Sequence, residues 1–228
     1  MMCQETVKEL ARLATEEDRL AKGRYGIDPD RTLGVRLPEI RKLAKKIGTD
    51  HQLACELWKV HFNETQQLAS MIADPKLMQK ADLENWVVDL SSWDVCDTVC
   101  TLFYQTRDGL ELAYEWCQRE EEFVKRAGFV VMVAITLHKK KLDDNKISPF
   151  LLVAEEHAWD KRNFVKKAVN WLIRQIGKRS IVLNREALAT CEQIMRQPHK
   201  SAKWIARDAI RELSSDAVQK RLHLKSMP

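Results

Sequence analysis

FVKRAGFVVMVAI (residues 123–135) and FVKKAVNWLIRQI (residues 164–176) are one pattern written twice, 41 residues apart. KWIARDAIREL (203–213) lies over KKAVNWLIRQI (166–176) with Arg211 on Arg174, a shift of 37. In each copy the apolar residues recur at helical spacing, so one face is built to be buried and another carries Lys and Arg. A period of about 40 residues is the spacing of repeats made of two helices. Such a unit cannot bury its apolar face alone, so neighbours stack. The pattern therefore predicts an all-α chain, an α-α superhelix (solenoid) of HEAT-like antiparallel helix pairs with a concave basic face.

Outward from this core, helix starts are marked along the chain. Pro38 suits the first turn of EIRKLAKKI (39–47). Asn63 with Gln66 resembles a capping box. Asp82, Ser91 with Asp94, Ser148-Pro149, Asn184 and Pro198 read as further openings. Connections of about two to six residues suit antiparallel neighbours. No stretch reads as a strand, and the scarcity of glycine (7) and proline (6) disfavours sandwiches and barrels. The 228 residues read as one domain, 1–228. Residues 1–36 are expected to cap a repeat array over 37–222.

Net charge is only +5, but it is unevenly spread. Residues 161–211 hold thirteen Lys and Arg against Glu186, Glu192 and Asp208, so that segment is +10 and the remainder −5. A basic segment of this kind is the footprint of a polyanion binder, although a solvated helical face without a partner has the same composition. Stacking the repeats would align Lys125 and Arg126 with Lys166, Lys167, Asn170 and Arg174, and these with Lys203, Arg207 and Arg211. Duplex DNA carries about one charge per 1.7 Å of axis and suits such a strip. There is no run of 18 apolar residues, and the start MMCQETVKEL is polar. Six scattered cysteines without a CxxC read as free thiols in a reducing compartment. The expectation is a monomer in the cytoplasm, nucleoid-associated, without membrane contact.

Chemistry is suggested at SSWDVCD (91–97), where Trp93 and Asp97 stand four apart and share a helix face. Arg126 and Trp171 follow on later repeat helices. Taken singly, each has a structural reading: an Asp in a first turn is usually a cap, a Trp usually core, an Arg usually a surface cation. Asp94 suits the cap better than Asp97. Cys96 and Cys100 lack the further ligands that a metal needs.

In order, VVDLSSWDVCDTV (87–99), FVKRA (123–127) and NFVKKAVNWLIRQ (163–175) resemble the AlkD-like family of DNA glycosylases, HEAT-like-repeat enzymes that excise alkylated purines. GVRLPEIRKLAKKI (34–47) is similar to the family's early helix, and the resemblance spans roughly residues 24–213. It implies Asp97 as the catalytic carboxylate, Trp93 and Trp171 as the two pocket indoles and Arg126 as the pocket arginine. It also places Phe164, Lys166, Lys167 and Arg174 on a DNA-facing helix. Ser92 stands where the family has a second tryptophan. The implied partner is double-stranded DNA containing alkylated bases, with no metal or organic cofactor. The same scaffold also allows a non-catalytic binder of damaged or branched DNA, or a protein-interaction array.

Overall fold

The computed structural model describes residues 2–226. Among the described residues there are fourteen α-helices, two short 3-10 turns and no strand. Among the described residues no helix is long and apolar enough to cross a membrane. The chain divides into two compact units, one ending at Gly109 and the other beginning at Leu110.

The first unit contains α1 (Cys3–Leu13), α2 (Glu16–Gly23), α3 (Leu37–Ile47), α4 (His51–Trp58), α5 (Asn63–Ile72), α6 (Lys80–Val88) and α7 (Trp93–Phe103). Helix α5 packs against α1, α3, α4 and α7. It is buried almost throughout, although its first half is polar: Asn63, Glu64, Thr65, Gln66 and Gln67 are all inside. These side chains act as cross-links. Glu64 accepts from Lys22 Nζ (2.5 Å), Thr32 Oγ1 (2.6 Å) and the backbone N–H groups of Leu33, Gly34 and Val35 (2.8, 3.0 and 3.2 Å). The carboxylate thereby folds the strap 32–35 against α5. Gly34 is required in that strap. Its φ is +91°, and a Cβ there would lie 2.4 Å from the Thr15 carbonyl oxygen.

The second unit contains most of α8 (Gly109–Cys117), then α9 (Glu122–His138), α10 (Pro149–Glu156), α11 (Asn163–Gly177), α12 (Ile181–Arg196), α13 (Lys200–Leu213) and α14 (Asp216–Ser226). The repeated sequence becomes repeated packing, with α9 against α11 and α11 against α13. Lys166 meets Trp204, Asn170 meets Ile205, and Arg174 meets Asp208 and Glu212. These pairings advance together, so α11 and α13 run parallel. The short connections 178–180 and 197–199 make α12 the antiparallel return. The connection between α9 and α10 is held by Arg179, which donates to the carbonyls of Thr136, Lys139, Lys140 and Leu142 and pairs with Asp144 at 3.0 Å.

Several expected caps are corrected. Asn63 does not cap α5. Phe62 holds the N-cap, and the Asn63 amide donates to Ser92 Oγ at 3.1 Å. Asp82 is the third residue of α6, where it accepts from the Gln79 N–H in a capping box. The N-cap of α7 is Ser92 rather than Ser91. Ser180 caps α12, while Asn184 is buried and donates to Gly177 O (2.9 Å) and Leu213 O (3.4 Å). Pro198 precedes the α13 N-cap, His199. The reason is common to Asn63 and Asn184: a buried amide with a partner on another helix is worth more than a local cap. Pro38 and Ser148-Pro149 open their helices as expected.

Candidate active site

Helix α7 sorts WDVCDTVCTLF by face. Val95, Cys96, Val99, Cys100, Leu102 and Phe103 are buried, while Trp93, Asp97 and Thr98 are half-buried. Trp93 and Asp97 line an open groove of about 860 Å³ within the first unit. Ile27, Pro38, Met71 and the Trp93 ring give the groove apolar walls, and Arg36 and Arg41 stand on it from the α3 side. Trp93 Nε1 donates to the Tyr25 carbonyl at 3.0 Å, which fixes the indole. Arg36 is bound to Asp18, with Nε–Oδ2 at 2.8 Å, whereas Arg41 has no carboxylate partner among the described residues.

The two carboxylates of α7 have different surroundings. Asp94 Oδ1 accepts from Ser92 Oγ (2.7 Å) and the Val95 N–H (3.0 Å). Its Oδ2 accepts from Gln67 Nε2 at 3.1 Å. Asp94 thus anchors α7 to α5 and sets the direction of the face beyond it. Asp97, one turn on, lines the groove. A carboxylate beside an apolar wall acts at a lower effective dielectric, which strengthens its effect on a nearby cation.

In the second unit Arg126 is buried and donates from Nη1 to the Phe164 carbonyl at 2.7 Å. The Phe164 ring lies 5.3 Å from that of Phe123, and its N–H donates to Glu122 Oε1 at 3.3 Å. Trp171 is half-buried. With the Gln175 amide turned so that its oxygen faces the indole, Trp171 Nε1 donates to it at 3.0 Å.

The expected basic strip divides by environment. Lys125 is not a surface cation. It is 4% exposed, with Nζ 5.3 Å from the Trp159 ring centre and 4.0 Å from Asp160 Oδ2. Asn170 is also buried, donating to the Ile205 carbonyl at 3.2 Å. Lys125 thus holds the connection ahead of α11, and Asn170 ties α11 to α13. Arg174 is paired with Glu212 and Asp208, and Arg211 with Asp208. Lys166 sits over the Trp204 ring at 4.7 Å. Lys167 and Arg207 are exposed, Lys203 is half-buried, and none of the three has a carboxylate partner among the described residues.

Tyr25, Arg41 and Gln67 belong to the groove, although sequence reasoning passed them over. Tyr25 and Arg41 lie in or near a segment expected only to cap, and nothing periodic marks Tyr25. The other tryptophans divide between core and surface: Trp58 and Trp86 stack at 4.0 Å and Trp116 is buried, but Trp159 and Trp204 are 46% and 41% exposed.

Stacked helix pairs of this kind also define a known class. A solved structure matches the chain with a TM-score of 0.77 at 20% identity, covering 93% of this chain and 95% of that one. It is described as belonging to "a new family of proteins related to the HEAT-like repeat DNA glycosylases with affinity for branched DNA structures". The likeness shows the HEAT-like-repeat fold. No curated protein matches the chain. Over residues 6–213 the sequence matches the family described as DNA alkylation repair enzyme, and the protein belongs to that family.

Proposed function

We propose that the protein is a monofunctional DNA glycosylase, hydrolysing the N-glycosidic bond of cationic N3- or N7-alkylated purines in duplex DNA. The observation that carries this reading is the placement of Asp97 and Trp93 on one apolar-walled groove, with Asp94 already occupied as the anchor of α7. Alkylation at N3 or N7 makes the base a cation and weakens its bond to C1′. As the base leaves with the bonding electron pair it becomes neutral, and the sugar becomes oxocarbenium-like. The Asp97 carboxylate stabilises that sugar and orients the water that adds to C1′, and the proton that water loses passes by way of the carboxylate to solvent. The indole face of Trp93 favours the cationic nucleotide by about 0.5–2 kcal/mol. The roles of Arg126 and Trp171 stand on the family resemblance alone. Acting in this way as a monomer without a cofactor, the protein works in the cytoplasm, at the nucleoid.

A second reading, DNA binding without catalysis, is favoured by two observations. The solved relative is described by its affinity for branched DNA, and Ser92 replaces one family tryptophan. Base release from duplex DNA carrying N7-methylguanine separates the two readings, with wild type and Asp97→Asn compared at matched occupancy. Catalysis predicts release by wild type and a loss of at least about tenfold in the variant, equivalent to ~1.4 kcal/mol of barrier. Tight binding with no release from either protein would establish the binding-only reading.

A further inference from the structure

Helix α13 presents an indole to solvent in the middle of a cationic face. Trp204 is 41% exposed. Together with Lys200, Lys203, Arg207 and Arg211 it lines a shallow depression of about 400 Å³. The Lys166 ammonium approaches the ring from α11, 4.7 Å from its centre. Arg211 is balanced by Asp208, but Lys200, Lys203 and Arg207 have no carboxylate partner among the described residues. The face therefore combines an exposed aromatic surface with unneutralised cations on both flanks.

We propose that this face binds an unpaired stretch of DNA, with Trp204 as a stacking platform for one base and Lys203 and Arg207 on the adjoining phosphates. The argument is one of complementarity. In a closed duplex every base face is covered by its neighbours, so cations suffice for the phosphates and an exposed indole gains little. An unpaired nucleotide offers an open π-face flanked by phosphates, the combination that an indole among lysines and arginines matches. The depression is shallow and open, so it imposes no choice of base. The site lies within the second unit and does not use the groove of Asp97. The inference rests on the reading that the protein binds DNA, but not on catalysis.

The test compares binding of a blunt duplex with binding of the same duplex carrying a short single-stranded extension. Wild type, Trp204→Ala and Trp204→Phe are used, each first matched by thermal melting. Wild type is expected to prefer the extended duplex by about tenfold or more, a typical contribution of base–aromatic stacking. Trp204→Ala should lose that preference and keep its affinity for the blunt duplex, and Trp204→Phe should retain most of it. Equal affinity of wild type for both probes would overturn the proposal, as would a Trp204→Ala variant that weakens both equally or neither. Failure of wild type to bind either probe would instead remove the DNA reading itself. If Trp204→Ala melts early, Lys203→Ala with Arg207→Ala provides the second comparison: a greater loss on the extended duplex than on the blunt one supports the face, and an equal loss on both, or no loss on either, overturns it.

Discussion

Five donors converge on Glu64, a carboxylate with no exposed surface. Burial pushes its carboxyl upward, but the Lys22 charge and the hydrogen bonds from Lys22, Thr32 and Leu33 outweigh burial and hold it below the usual carboxylate range. Because the folded state favours the ionised form, the contribution of Glu64 is complete above the ordinary glutamate value of about 4.3 and is lost as pH falls below it. Glu64→Gln keeps the shape but leaves Lys22 facing a neutral amide. Breaking a buried pair in this way costs about 3–5 kcal/mol, so the variant should melt well below wild type at neutral pH. The difference should shrink in acid, where wild type loses the same charge. An equal deficit at all pH values would mean that Glu64 contributes packing alone. None of this could be read from NETQQ (63–67), because the partners of Glu64 lie some thirty residues earlier. The positions of Asp94 in the first turn of α7 and of Asp97 one turn on were legible from their spacing on one helix, but the Gln67 partner of Asp94 was not.

At the scale of the helix, what could be read was what repeats. The 41- and 37-residue shifts between copies reappear as contacts of similar separation: Phe123 with Phe164, Lys166 with Trp204, Arg174 with Glu212. Helix ends were less legible because their side chains answer to neighbouring helices, as Asn63 and Asn184 do. Gly128 shows the same dependence from within a helix. FVKRAGFVVMVAI reads as an ordinary apolar helix in which glycine is a defect. A Cβ at Gly128 would, however, lie 2.6 Å from the Ala113 carbonyl oxygen and 2.7 Å from Cys117 Sγ, so α9 lies on the backbone of α8 at that point. Gly128→Ala improves helix propensity by about 1 kcal/mol. Overpacking against a backbone oxygen that cannot rotate away costs about 1–3 kcal/mol. The expected result is a lower urea midpoint at unchanged m-value. A higher midpoint would mean that α8 yields without strain and that the close approach is incidental.

For the molecule as a whole, net charge is a poor guide to the charge a ligand meets. The segment 161–211 counts +10 in sequence, but Arg162 is paired with Asp160, Arg179 with Asp144, Arg174 and Lys178 with Glu212, and Arg211 with Asp208. Three of those four acids, Asp144, Asp160 and Glu212, lie outside the segment, so a count along the chain misses them. On the proposed reading, solvent-accessible cations without such partners should carry the binding of duplex DNA. Each phosphate neutralised adds about 0.9 to the magnitude of the slope of log affinity against log salt. Lys167→Ala, Lys203→Ala and Arg207→Ala should therefore each flatten that slope by roughly 0.9 relative to wild type. Arg211→Ala removes a charge already balanced by Asp208 and should flatten it by clearly less. These slopes, measured on one duplex across a salt series, test the division directly. If Arg211 counted as much as Lys203, its pairing with Asp208 would not survive contact with DNA, and the bare sequence count would be the better measure of the binding surface.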